Sequence, residues 1–243
     1  MDQPRVMPAP RTRRTRAEQK RETRDALIEA GLVVFSRDGY HGAALDGIAN
    51  EAGFSKGAVY SNFSSKAELF LAVLDYNLGA LRGEGWDPLA SATTAAVGAP
   101  GTTGGDEREA EQLVRGFGLA TLEFITTAAR DDMLIPALRT RVQMLLDAYG
   151  RVAATHRAAE EDLAVDKVAQ LMAALDQGAS VLALSGVATV DGSLMRSGLR
   201  RLLGLPADAV DERSADRAGR ASLLPTVEQV QRLIRDEPGD LDT

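Results

Sequence analysis

LDGIANEAGFSKGAVYSNFSSK, residues 45–66, decides the architecture of this chain. Leu45, Ile48, Ala49 and Ala52 fall at i, i+3, i+4 and i+7, a single apolar stripe along a short helix. Gly53 follows, a residue that tolerates the left-handed conformation ending a helix, and Ser55 offers an N-cap for the next one. Two short helices joined by a tight, Gly-containing turn predict a helix-turn-helix, whose second helix enters the DNA major groove. That helix, about Lys56 to Asn62, carries Lys56, Tyr60 and Asn62 between small residues, with Val59 and Phe63 left to face inward. Gly57 and Ala58 allow the backbone to approach a duplex closely.

Working outward, Ile28, Leu32 and Phe35 recur at i, i+4 and i+7, so a preceding helix packs across the pair. After the motif, Leu69, Val73 and Tyr76 form one row and Phe70, Leu74, Leu78 and Leu81 another. Two apolar rows predict contact on two sides, with the head and with a second domain. Lys66 falls just inside this fourth helix, where backbone N–H groups favour an anion.

Residues 22–70 resemble the N-terminal domain of the tetracycline-repressor (TetR) family of transcriptional regulators. The pieces that carry the likeness are ALIEAGLVVFSRDGYHGAAL, DGIANEAGFSKGAVYSNF and SSKAELF, with Gly39 and Tyr40 as the Gly-aromatic pair that closes the first helix. The resemblance implies that Ser55, Lys56, Gly57, Ala58, Tyr60, Asn62 and Lys66 face DNA. Lys56 would donate to guanine O6 and N7, while Asn62 would read adenine or touch the backbone. Tyr60, Ser55 and Lys66 would contact phosphates, which set register without carrying sequence information. One departure stands out. The family has Ser or Thr before the first helix of the motif, where this chain has Ala43 and Ala44, poor N-caps that remove one phosphate contact.

The formal charge of −7 alone argues against nucleic acid, but its distribution does not. Residues 1–82 hold 12 basic and 10 acidic residues; the remaining 161 hold 16 and 25. A basic end on an acidic body is the footprint of a nucleic-acid-binding surface. Residues 1–20 are expected to form a basic flexible arm that reaches the minor groove or serves as a solvated tail. There is no cysteine, so disulfide and thiolate chemistry are excluded. The two histidines, His41 and His156, stand in no metal-ligand or catalytic spacing, so neither an enzyme nor a cofactor is expected, and His156 reads as a surface residue. Without a signal peptide or an apolar run of about 20 residues, a cytoplasmic protein with no membrane partner is expected.

The fold class predicted is all-α: a three-helix head at 21–65 joined to a helical ligand-binding and dimerisation domain at 66–203, with an extension at 204–243 to which no role is assigned. Residues 83–105, GEGWDPLASATTAAVGAPGTTGG, read as a flexible loop. Helical periodicity resumes over about 107–129, 136–156, 166–187 and 191–203, the last capped by Asp191. Leu171, Leu175, Gly178 and Leu182 repeat at i, i+4, i+7 and i+11 beside small residues; with Leu194 and Leu199 they are expected to form a dimer face. In the resembled family the corresponding helices pair with their symmetry mates, and the second domain holds a small-molecule pocket whose occupancy changes the spacing of the two heads. Candidate walls are Trp86, Phe117, Phe124, Met133, Met144, Tyr149 and Met172, each of which also reads as core. An apolar or amphipathic effector is expected, because charged residues are scarce in these rows. The function implied is a homodimeric repressor that binds a palindromic double-stranded operator and is released by that effector. Alternatives are a ligand-independent regulator or activator with the same head, or a helical interaction module that has lost DNA binding.

Overall fold

The computed structural model describes residues 15–82, 86–89, 104–158, 161–185 and 192–205, and every long regular element among them is an α-helix. The order is α1 (Arg16–Gly42), α2 (Leu45–Glu51), α3 (Lys56–Asn62), α4 (Lys66–Leu78), a short 3-10 turn (Gly79–Arg82), α5 (Gly104–Ala128), α6 (Ile135–His156), α7 (Val165–Ser185) and α8 (Gly192–Leu202). The arm expected at 1–20 is shorter than read: α1 starts at Arg16, so Arg16, Lys20 and Arg21 ride on an ordered helix. Its start is fixed by a capping box, in which Thr15 Oγ1 accepts from Glu18 N and Glu18 Oε2 accepts from Thr15 N. The rest of the arm, most of the 83–105 loop, Asp191 and nearly all of the extension lie outside the described residues.

Within α1 the helical path breaks at Gly39, whose φ of 74° suits glycine, and the chain turns through Tyr40 to Gly42. Between α5 and α6, Asp131 Oδ1 accepts from Met133 N and Leu134 N, an Asx turn that launches α6 ahead of Pro136. The expected break near Arg130–Asp132 is therefore built by a side chain bonding its own backbone.

Two apolar cores are joined through Ile125. The first fuses head to body: Phe35 and Tyr40 of α1, Phe70 of α4, and Phe117 and Phe124 of α5 interlock, with ring centroids 4.7 Å apart for Phe70–Phe124 and 5.1 Å for Tyr40–Phe124. Such pairs contribute about 1 kcal/mol each beyond the area they bury. The axes of α1 and α5 come close because residue 116 is glycine; a Cβ there would lie 1.9 Å from the Ser36 carbonyl oxygen. The second core lies between α6, α7 and α8, with Leu145, Tyr149, Met172 and Leu199 at its centre.

Helix α7 is long and apolar enough, by length and composition alone, to cross a bilayer, yet only 39% of its most apolar window is buried in the protomer. Against the expectation of no apolar run of about 20 residues, this one helix among the described residues passes by length and composition. Its buried side, Val168, Ala169, Met172 and Ala173, joins the second core, the behaviour of a core helix. Leu171, Leu175, Val181 and Leu182 on its other side are exposed, as is Leu194 of α8. Leu199 is a correction: it is fully buried against α6 and α7, on the inner face of α8, and cannot line an outer surface.

Candidate nucleic-acid interface

The helix-turn-helix follows from local chemistry. Ile48 and Ala49 of α2 and Val59 of α3 are buried against α1 and α4, and Gly53, with φ 68°, turns the chain between the two helices. Ala44 provides no side-chain cap to α2, as two alanines must leave it. Ser55 sits at the N-cap of α3 in the extended conformation, but its hydroxyl makes no cap bond and remains exposed.

With Val59 and Phe63 held inside, α3 presents Ser55, Lys56, Gly57 and Tyr60 to solvent, Tyr60 being 52% exposed. A Cβ at Gly57 would meet only Ser55 Oγ, at 3.8 Å, so packing within the protomer does not require a glycine there. The backbone of the first turn of α3 is simply open to close approach. Lys56 Nζ lies 2.6 Å from Asp46 Oδ2 of α2 and 5.9 Å from the centroid of the Tyr60 ring. The hydrogen bond to Asp46, followed by that carboxylate's charge, raises the ammonium above the ordinary lysine range. Asp46 stands in the first turn of α2, and the fold sets it beside Lys56.

Two expected site residues are placed differently. Asn62 is half-buried: its Nδ2 donates to Ala58 O at 2.8 Å, and its Oδ1 is enclosed, so the amide is turned along its own helix rather than outward. Lys66 reaches back across the head, donating to His41 O at 3.0 Å and Ala43 O at 2.9 Å, with Nζ 5.0 Å from the Tyr40 ring. Partial burial lowers its pKa, and two of its three protons are committed to carbonyls at the turn after α1. The N-terminus of α4 is occupied by its own cap instead, because Ser65 Oγ accepts from Glu68 N.

Two residues that the sequence reading passed over hold α3 in place. Arg24 of α1 stacks over Phe63, 4.1 Å from the ring centroid, and donates from Nη1 to Asn62 O at 2.6 Å, satisfying a carbonyl at the end of α3. Glu68 accepts from Ser64 N at 2.8 Å and Ser64 Oγ at 2.6 Å, tying the residue before the N-cap to the first turn of α4. The S-x-x-E spacing at Ser65–Glu68 could have signalled the cap from Ser65, but not the bonds to Ser64; nothing in a 38-residue separation signalled the Arg24 contact. The bonds from Ser64 depress the Glu68 carboxyl below its ordinary range. A depressed acid contributes stability that is present above the unfolded pKa and lost as pH falls through the folded one. Glu68→Gln is therefore expected to melt lower than the parent at neutral pH, by about 1 kcal/mol for the weakened bonds to Ser64. Below the carboxylate range the two curves should converge. A difference that persists unchanged into acid would show that the charge of Glu68 is irrelevant to those bonds.

Helix α5 also reaches the head. Glu123 Oε2 accepts from His41 N at 3.0 Å, at the same turn that Lys66 grips from α4.

The expected ligand walls divide. Phe117 and Phe124 are wholly buried in the aromatic cluster that joins head to body, where they pack on Phe70 rather than line a space for a ligand. Met133 is a second correction: it is 87% exposed, because it sits in the Asx turn ahead of α6. Trp86, Met144, Tyr149 and Met172 do gather in the second core, with Trp86 edge-on to Tyr149 at 5.2 Å. The fold adds an acidic residue there that periodicity did not single out: Asp176 is 3% exposed and hydrogen-bonded to Tyr149, whose phenol pKa is raised by burial, then by the Asp176 charge and that bond. His156, expected at the surface, is half-buried with Nε2 3.5 Å from Asp87 Oδ2.

Comparison with known proteins agrees with this geometry. Residues 27–73 match the family described as bacterial regulatory proteins, tetR family. The HTH-type transcriptional activator FasR of Mycolicibacterium smegmatis is 48% identical over 67 residues, 28% of this chain and 31% of that protein. The HTH-type transcriptional regulator TtgW of Pseudomonas putida is 50% identical over 62 residues, 26% of this chain and 46% of that protein. The matched regions thus span a third to a half of these relatives, and the relatives are regulators rather than enzymes. A transcriptional regulator from Saccharomonospora viridis, solved in complex with choline, shares the fold with a TM-score of 0.51 at 20% identity, covering 81% of this chain and all of that one. A TetR-family structure from Streptomyces coelicolor does so with a TM-score of 0.50 at 20% identity, covering 75% and 98%. The match to the tetR family of bacterial regulatory proteins thus falls on the helix-turn-helix head, residues 27–73 within α1 to α4, and an all-helical body follows that head.

Proposed function

We propose that the chain is a homodimeric transcriptional regulator that represses from a palindromic operator and leaves it when a small molecule occupies the helical body. The observation that carries this reading is the outward face of α3, where Ser55, Lys56, Gly57 and Tyr60 are presented on a helix clamped from behind by Val59, Phe63 and Arg24. Lys56 serves as the base reader and Tyr60 and Ser55 as phosphate contacts. Asn62 and Lys66 are expected to support the surface more than to touch DNA. Selection of duplexes from a random pool, followed by gel-shift titration, tests the reading: recovery of a two-fold symmetric sequence supports it, and failure to enrich any duplex removes it in favour of an interaction module. Lys56→Ala is expected to weaken binding to the selected duplex by about ten- to a hundredfold and to relax base preference at one position per half-site. Uniform weakening on all sequences would reassign Lys56 to phosphate.

A pair is expected because one seven-residue helix reads too few bases, whereas two recognition helices about 34–36 Å apart read successive major-groove faces. The exposed leucines of α7 and α8 supply a face for the second copy. The second core is the proposed effector region. Its aromatic pair Trp86 and Tyr149 beside the Asp176 carboxylate suits an amphipathic molecule with a cationic end. The Saccharomonospora viridis protein of the same fold holds choline, a ligand of that class. Titrating choline and a neutral alcohol of similar size into the protein–DNA complex distinguishes a cation site from a purely apolar one. The activator reading rests on the likeness of the head to FasR, and transcription in vitro from the selected promoter decides the sign.

A further inference from the structure

Asp46 is an acid on the surface that, on the reading above, meets a polyanion, and it is bonded to the very lysine that reads bases. The carboxylate is 53% exposed and the ammonium 61%, with 2.6 Å between Oδ2 and Nζ across the turn that joins α2 to α3. Exposed pairs of this kind add little to stability, so the fold does not require this one. Its effect is on what Lys56 can bind. An ammonium has three donors, so while one remains on Asp46 the other two can reach O6 and N7 of a guanine. Those acceptors carry no net charge and tolerate a nearby carboxylate. A phosphate does not: it brings a negative charge towards Asp46, and Lys56 must leave its partner to serve it.

We propose that Asp46 is a specificity-determining residue, which reserves Lys56 for the neutral edge of guanine and penalises its use on the phosphate backbone. Discrimination then arises from a weakened wrong complex as much as from a strengthened right one. The inference rests on the DNA-binding reading, so the test uses the full chain on two duplexes: one recovered by the unmodified protein from a random pool, and poly(dA-dT), which offers no guanine.

Asp46→Asn keeps the shape and removes the charge. It is expected to raise affinity for poly(dA-dT) about fivefold, the order of one unit-charge interaction in water at contact distance. The slope of log affinity against log salt on that duplex should steepen by about 1. Affinity for the selected duplex should change by less than about twofold, so the ratio between the two falls, while Asp46→Glu retains it. In a Lys56→Ala background the same substitution should leave the ratio unchanged, which ties the effect to this pair and not to folding. Equal gains on both duplexes, or a loss confined to the selected one, overturns the proposal while leaving DNA binding in place. A parent protein that enriches no duplex overturns both.

Discussion

Gly116→Ala is expected to lower the melting temperature by about 5–10 °C, although alanine is the better helix former. The added Cβ would lie 1.9 Å from the carbonyl oxygen of Ser36, and the obstacle is backbone, not the end of a side chain that can swing aside. Helices α1 and α5 would have to part by roughly 1 Å along the most extensive interhelix contact of the protomer, loosening a core packed at crystal-like density. Overpacking of this severity costs about 3 kcal/mol or more, against about 1 kcal/mol gained in helix propensity. For a chain of this size each net kcal/mol moves the midpoint by about 2–4 °C. Gly150→Ala is the matched control: its Cβ would meet nothing within 4 Å, so the propensity gain should appear alone as a small rise. If both variants melted above the parent, α1 and α5 could not lie as close as described. Because α1 carries the head and α5 the body, the damaged variant should also bind DNA less tightly.

The second large effect is expected on the exposed face of α7. Leu171 and Leu182 lie three turns apart, about 16 Å along the axis, each close to half exposed on a helix too apolar to be left to water. Replacing both with glutamate should leave the protomer core intact, since neither packs into it. In a symmetric pair both copies carry the change, so each substitution enters the interface twice. The expected outcome is a monomer by equilibrium sedimentation, with affinity for the selected operator reduced by more than about a hundredfold as two linked half-site contacts become independent. Leu163→Glu, at an exposed leucine between α6 and α7, is the control and should remain paired. A double variant that sediments like the parent would place the dimer contact elsewhere.

Much of the head was legible because its signals are local. The 45–52 stripe and the left-handed glycine at 53 each act within about two helical turns, and α2 and α3 lie where those signals put them, although Ser55 forms no cap bond. The acidic body, the break near Asp131 and the apolar stripe on α7 were readable for the same reason. Lys66 was not. A lysine at the first turn of a helix has the reach to serve phosphate, solvent or a carbonyl, and only the return of α1 brings His41 O and Ala43 O within 3.0 Å of it. Phe117 and Phe124 illustrate the same limit. Their spacing announces an apolar face without saying whether a ligand, a partner or Phe70 will cover it.

From residue order alone came the all-helical class, the helix-turn-helix and the side of α3 that turns outward, since periodicity along a helix is a property of neighbours in the chain. Folding in three dimensions settled the rest: that Arg24 steadies α3, that Asp46 holds Lys56, that Leu199 faces in while Leu194 faces out, and that Asp176 is buried beside Tyr149. Those contacts join different helices, and in most cases residues tens of positions apart. No propensity or spacing encodes them, because the free energy that selects them is released only when separate helices exclude water together.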